Sequence, residues 1–333
     1  MSISPSEAES IATQAAGEMP MPSEPTVEQD AELRDAVANT NVESESPVPA
    51  GFMGKGLDMY GQIHPEETPE LLSEGLMNLD KEIESLKPEE KVDLTRAIER
   101  CPGQVNDKEK LRFLRCEVFN AKLAAIRMAR YWKRRVFIFG EDKAFLPLTI
   151  SEALKDDEIG LEMGFFRVIP NVKDPSGRAV MFGDPSRLKN PSNNRMTIQR
   201  AIWYVMHAAL EEESVQQKGV VMLLYPHNAK LAQVDRKLMK MNSESMKGCI
   251  PVRLSAFHVC NPPKFFSIVF PLLKLFLGDR LRKRIRVHSG DKEKVIDHLA
   301  HFGLTKDCIP SDLGGNIVLD NLGWLKERKD SGL

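Results

Sequence analysis

Pro263-Lys-Phe-Phe-Ser-Ile-Val-Phe-Pro-Leu-Leu-Lys-Leu-Phe-Leu277 runs directly into Gly278-Asp-Arg-Leu-Arg-Lys-Arg-Ile-Arg286. At helical spacing one stripe is Phe265, Ile268, Val269, Leu272, Leu273 and Phe276, and a second is Phe266, Phe270, Leu273 and Leu277. A helix apolar nearly all round is usually buried on every side, but this one ends in five basic residues within seven positions from 280. Composition leaves two readings open. One is a core helix followed by a solvated basic turn. The other is a helix packed inward on one face and meeting lipid on the other, its basic end over anionic head groups, where each basic residue contributes about 1 kcal/mol. Pro271 removes a backbone hydrogen bond mid-helix and favours a kink, as a moving lid or a static bend. The apolar stretch 265–277 contains Lys274 and is too short to cross a bilayer, which takes about 20 apolar residues.

Around this segment strands and helices alternate. Residues 165–172 and 178–182 read as strands joined by the turn Asp174-Pro-Ser-Gly177. A helix is expected from near 194 to 216. Gly219-Val-Val-Met-Leu-Leu-Tyr225 is then a continuous apolar run, as a strand covered on both faces requires. A helix over about 229–247, a strand over 252–260, the apolar helix, a short strand at 285–288 and a helix near 291–302 complete the pattern. The alternation predicts an α/β domain with a mainly parallel sheet and flanking helices over 146–316, followed by a C-terminal tail at 317–333. Upstream, Leu71, Leu72, Leu76, Leu79 and Ile83 recur at three-to-four spacing, and the pattern to 145 predicts a small all-helical module of three to four helices. Its last helix, from about 121, is expected to end among Lys133, Arg134 and Arg135. Residues 1–68 are rich in Ser, Pro, Glu and Ala without hydrophobic period and read as a disordered acidic tail, with the glycine-rich stretch 51–61 as a linker.

Charge sharpens the division. The 333-residue chain has a net charge of −2, but residues 1–50 hold ten acidic side chains against Arg34 alone, which leaves the remainder at +7. No global basic field points to nucleic acid. Five scattered cysteines without C-x-x-C spacing, and an N-terminus without a basic start or apolar run, point to a reducing, cytoplasmic setting and away from structural zinc. No G-x-S-x-G elbow, H-E-x-x-H or phosphate loop occurs, and no nucleophile–base pair can be named, so neither an enzyme, a cofactor nor a metal site is expected. His298 and His301 read as a solvated helix face. His207 reads as a satisfied core or pocket histidine, His258 as structural and Cys260 as unreactive.

Leu111-Arg-Phe-Leu-Arg115, Tyr131-Trp-Lys-Arg-Arg135, Asp174-Pro-Ser-Gly-Arg178, Glu212-Glu-Ser-Val-Gln-Gln-Lys-Gly219, Asn261-Pro-Pro263, Lys274-Leu-Phe-Leu277, Arg284-Ile285 and Leu313-Gly-Gly315 follow one another in one order. Together they resemble the CRAL-TRIO lipid-binding family, of the phosphatidylinositol-transfer, α-tocopherol-transfer and cellular retinaldehyde-binding type. The resemblance covers about 75–315 and implies a CRAL-TRIO-like fold with a lipid pocket between a sheet floor and a gate helix at 262–277. It implies one hydrophobic ligand of the phospholipid, tocopherol, retinoid or sterol class. The protein would be a monomer that associates reversibly with anionic membranes.

From the sheet floor, long helix and gate, the expected pocket residues are Phe166, Phe182, Trp203, His207, Leu223, Tyr225, Phe257, Phe266, Val269, Phe270, Leu273 and Leu277. The resemblance places phosphoinositide-binding positions at Arg135, Arg253, Arg280 and Arg284, and Lys274 matches the gate lysine of the phosphatidylinositol-transfer members. Two departures count against phosphatidylinositol as the main cargo: the central strand ends Leu224-Tyr225-Pro226, and Val252 replaces the carboxylate of the phosphatidylinositol-binding members. A lipid-sensing signalling or scaffold protein without transfer activity is the alternative.

Overall fold

The computed structural model describes residues 57–276, 282 and 284–333, with side chains as far as Pro271 on the helix before the first gap. The chain enters through four helices: α1 (Pro69–Ser85), α2 (Val92–Arg100), α3 (Asp107–Cys116) and α4 (Ala121–Lys143). Thr68, Asn106 and Asn120 cap α1, α3 and α4 by accepting from backbone N–H groups of the first turn. The module closes on Leu79, Leu94, Leu114 and Met128, all fully buried. α4 continues past the expected end at 133–135. Arg135 is buried inside it, and the helical path is first interrupted at Gly140, whose φ of 77° suits glycine.

Five strands follow: β1 (Phe166–Lys173), β2 (Ala179–Gly183), β3 (Val220–Leu224), β4 (Leu254–Cys260) and β5 (Ile285–His288). They lie side by side in chain order, β1 antiparallel to β2 and the rest parallel. Between β2 and β3 come α5 (Arg195–Ala209) and α6 (Glu213–Lys218), where one long helix was expected; the extended backbone of Glu212 separates them. α7 (Arg236–Gly248), capped by Asp235, leads to β4, and α8 (Phe266–Phe276) leads from β4 towards β5. α8 is a single helical element that includes Pro271.

The sheet separates two cores. Met181, Met222 and Leu254 face the helical side with Ile198, Ile202 and Leu238. Val180, Phe182, Val221 and Leu223 face the other way, onto Val295, Ile296 and Leu299 of α9 (Lys292–Ala300) and onto Leu304, Ile309 and Leu313. Residues 317–333, expected as a tail, belong to the body. Leu325 of α10 (Asn321–Asp330) is buried, and Arg328 grips both carboxylate oxygens of Glu211 at 2.6 and 2.7 Å and the Tyr204 hydroxyl at 2.8 Å.

Residues 57–67, expected within the disordered tail, are strapped to the body; residues 1–56 lie outside the described residues. Arg178, fully buried, donates to Asp174 at 2.7 Å and to Asp58. Burial alone would raise the Asp58 carboxyl. Bonds from the Gln62 and Tyr60 N–H groups and from His64, with the Arg178 charge, hold it below its ordinary value. Arg253 donates to the Ile63 carbonyl at 2.7 Å, Ser255 to Gln62 at 2.6 Å, and Arg115 to both oxygens of Glu67 at 2.7 and 2.9 Å.

Behind the sheet the Tyr60 hydroxyl lies 3.3 Å from His258 Nε2, and His258 Nδ1 lies 2.9 Å from His288 Nε2. Burial pushes His258 well below the ordinary histidine value and His288 down to about 4, each lowered further by neighbouring positive charge. Unfolding releases both to titrate near 6.5, so the unfolded chain binds more protons in the interval between. Stability is then full above pH 6.5 and is lost as the pH falls towards 4. Between pH 7 and 5 the urea midpoint is expected to drop, at about 1–2 kcal/mol for each histidine, and His288→Gln is expected to flatten that slope.

Candidate functional site

A cavity of about 250 Å³ opens between the helical face of the sheet and α8. Its floor is Phe166, Gly183, Met222, Leu224, Leu254 and Phe257. Ile198, Ile202 and Met206, one turn apart on α5, form one wall, and Leu238, Asn242 and Met246, one turn apart on α7, form another. Phe265, Phe266 and Val269 close it from the α8 side, while Pro185, Leu188, Pro226, Lys230 and Gln233 border it. The missing side chain of Gly183 leaves space on the floor, where a Cβ would meet the Leu224 side chain at 3.1 Å. Four of the chain's fifteen methionines (Met206, Met222, Met239 and Met246) line the cavity, giving it a wall that adapts to a ligand's shape.

Of the expected pocket residues, Phe166, Phe257, Phe266 and Val269 line this cavity. Phe270 packs on Phe266 with ring centroids 5.7 Å apart and supports the lid from beside the cavity. Phe182, Leu223 and Tyr225 do not reach it. Strand side chains alternate, and these three fall on the opposite face, so Met222 and Leu224 are the residues of β3 that line the floor. Trp203 and His207 lie on α5 but are turned towards α4. The Trp203 ring is 5.1 Å from that of Tyr131, and His207 contacts the Tyr131 hydroxyl at 3.0 Å and the Trp203 carbonyl at 2.7 Å. Burial lowers His207 to about 3, so it is neutral at pH 7. The side chain of Leu273, and Leu277 altogether, lie outside the described residues.

The basic positions divide in the same way. Arg135 is 2% exposed, with its guanidinium over Trp132 and donating to the Tyr131 hydroxyl at 3.1 Å and the Leu146 carbonyl at 2.5 Å. Arg253 is 8% exposed and holds the 57–67 strap. Both are interior fasteners, which corrects their assignment to a membrane surface. Arg284 is half-buried and donates to the Leu254 carbonyl at 2.8 Å. The Lys274 side chain and Arg280 lie outside the described residues. Exposed basic groups at the cavity are instead Lys230 on its border and Lys264 at the approach to α8. Leu231 and Ile268 are apolar and about half exposed beside them, at 58% and 46%.

Reactive chemistry is not assembled here. Burial pushes the Cys260 thiol up to about 12, and among the described residues no three His, Cys, Asp or Glu side chains group to hold a metal. No described helix is long and apolar enough to cross a membrane.

Residues 162–315 match the CRAL/TRIO domain. Clavesin-1 of Xenopus laevis is 25% identical over 275 residues, covering 79% of this chain and 78% of that protein. Alpha-tocopherol transfer protein-like of Mus musculus is 28% identical over 226 residues, 66% of this chain and 62% of its own length. Tyrosine-protein phosphatase non-receptor type 9 of Rattus norvegicus is 26% identical over 162 residues, which is 26% of that protein, so the likeness is confined to its CRAL/TRIO part. A crystal structure of Sfh5 aligns with a TM-score of 0.46 at 14% identity, over 67% of this chain and 82% of that one. The α/β fold with its helical N-terminal part agrees with that domain, and these relatives support lipid binding or transfer in general.

The alternation of β3 makes a direct test of the cavity. Met222→Trp is expected to fill it, lowering lipid uptake by tenfold or more at an overpacking cost of about 1–3 kcal/mol. Leu223→Met, one residue away on the other face, is expected to leave uptake within about twofold. Equilibrium uptake of a radiolabelled lipid from vesicles checks both.

Proposed function

We propose that the protein binds a single hydrophobic lipid in the cavity beneath α8 and transfers or presents it at membranes, docking reversibly on anionic, phosphoinositide-containing surfaces. The cavity carries this reading. Its floor and lid are almost wholly apolar, and its polar border residues sit on one side. An acyl or isoprenoid chain gains about 0.8 kcal/mol for each methylene removed from water. A dozen methylenes bring about 10 kcal/mol before the entropy of association is subtracted, enough for tight but reversible loading.

Lys230 and Lys264, with Leu231 and Ile268 exposed, support docking of this rim on a bilayer, the cations over head groups and the apolar pair at the interface. Lys274 and Arg280 continue the run of basic residues along the chain. At about 1 kcal/mol for each cation, a patch of this size binds and releases.

Lipid extracted from the purified full-length chain and identified by mass spectrometry is expected to be one dominant species at close to one per protein. A chain that remains empty after incubation with mixed liposomes rejects the carrier reading. A chain that loads but does not exchange lipid between vesicles is a sensor or scaffold. Lys264→Glu combined with Arg280→Glu is expected to weaken binding to phosphoinositide liposomes at least tenfold, with unchanged thermal unfolding; undiminished binding rejects the docking role.

A further inference from the structure

The polar groups bordering the cavity are mostly accounted for by the protein itself. Asp235 caps α7 and pairs with Arg195 at 2.7 Å, Gln233 donates to the Ser186 carbonyl at 2.6 Å, and Lys230 is exposed. Asn242 is different. It sits one turn after Leu238 and one turn before Met246, in the middle of the apolar stripe that α7 presents to the cavity.

Its orientation follows from a chain of buried hydrogen bonds with one unambiguous end. The Trp203 indole N–H can only donate, and it lies 3.2 Å from Ser245 Oγ. Ser245 accepts there on one of its two lone pairs and donates its own hydrogen to Gln199 Oε1, at 3.4 Å. That leaves the Gln199 Nε2 group to donate, and it donates to Asn242 Oδ1. Trp203, Ser245 and Gln199 are each fully buried, so water does not compete for these roles. With Oδ1 occupied, the Asn242 side chain has its Nδ2–H₂ group left to offer. The relay thus delivers a neutral hydrogen-bond donor, fixed in direction, to the α7 wall between Leu238 and Met246; Ser243, the other polar lining residue there, is itself partnered.

We propose that Asn242 is a specificity-determining residue of the cavity, and that the lipid it selects bears an uncharged hydrogen-bond acceptor, a carbonyl or hydroxyl oxygen, at the level of α7. An amine-headed chain brings another donor. A phosphate or carboxylate on Asn242 would be an anion on a neutral amide, with the Arg195 charge already matched by Asp235, which burial penalises heavily. This inference rests on the lipid-carrier reading and names its ligand class.

The test uses three probes of equal chain length, offered to the full chain from phosphatidylcholine vesicles: hexadecan-2-one, hexadecane and hexadecanoate. The wild type is expected to retain the ketone about fivefold better than the hydrocarbon, equivalent to about 1 kcal/mol, and better than hexadecanoate. Asn242→Leu is expected to bring ketone and hydrocarbon within about 1.5-fold while still taking up hexadecane, which shows that the cavity is intact. Trp203→Phe, which touches no ligand, is expected to lower the ketone preference without lowering hexadecane uptake, because the relay then loses its fixed polarity. A ketone preference that persists in Asn242→Leu, or a wild type that prefers hexadecanoate, overturns the assignment. A wild type that retains none of the three overturns the lipid-carrier reading itself, and this inference with it.

Discussion

The constraint on which the rest of this structure depends is the order of its strands. β2, β3, β4 and β5 are parallel and adjacent in chain order, and strand–crossover–strand units are right-handed. Each crossover therefore steps the same way and leaves its helix on the same side. α5, α6, α7 and α8 all go to one face, with no reversal to send a helix to the other. On that face α8 packs on α7 beside the cavity. The bare face needs its own cover, which α9, the segment to Leu313 and the 57–67 strap provide. The cavity and the strap are two consequences of one topology.

The strap explains where part of the body's positive charge goes. Arg178, Arg253 and Arg115 tie it to the sheet and the helical module, and Arg135 joins α4 to the Leu146 carbonyl. A buried guanidinium is tolerable only when its donors are met: Arg178, Arg253 and Arg115 each have two or more carboxylate or carbonyl partners, and Arg135 has the Leu146 carbonyl with the Tyr131 hydroxyl. Removing one partner leaves the other charge buried and uncompensated, so they behave as fasteners and are withdrawn from any electrostatic surface. Lys230, on the cavity border, and Lys264, just before α8, are among the cations that stay exposed.

The same distinctions decide what could be read from the residues alone. Element types and order were legible, because Asp174-Pro-Ser-Gly177, the β3 run and the amphipathic α1 carry local signals. Phe266 and Val269 were legible as lining because a helix with several apolar faces still puts neighbours three apart on one side. Leu223 and Phe182 were not separable from Met222 and Gly183. A strand buried on both faces shows no alternation, and the parity is set by what packs on each side. Trp203 and Ile202 differ by one step of about 100° on α5, and only α4 settles which of them meets a ligand. Arginine burial was illegible for a related reason: Arg135 and Arg253 find their partners, Leu146 O and Ile63 O, through tertiary contacts. Asn242 had a weak signal, a polar residue between Leu238 and Met246 at helical spacing, and its meaning emerges only with Gln199 across from it.

A cavity that binds tightly must also let go, and the packing indicates which wall yields. The floor belongs to a sheet with a full core behind it, and α5 is sealed to α4 by Trp203, His207 and Tyr131. α8 is held by a much smaller cluster, Val259, Phe266, Val269 and Ile285, with Phe270 alongside. Exposing Phe266 and Val269 costs about 1.5–3 kcal/mol each, far less than opening either other wall. Pro271 removes one rung of the helix's own ladder, and Ile268 already points outward. Against a bilayer, the surface uncovered by swinging α8 away meets acyl chains in place of water, and most of that cost disappears. Under the proposed carrier function, release would then be favoured at the surface that receives the lipid and disfavoured in solution, a coupling that follows from apolar burial alone.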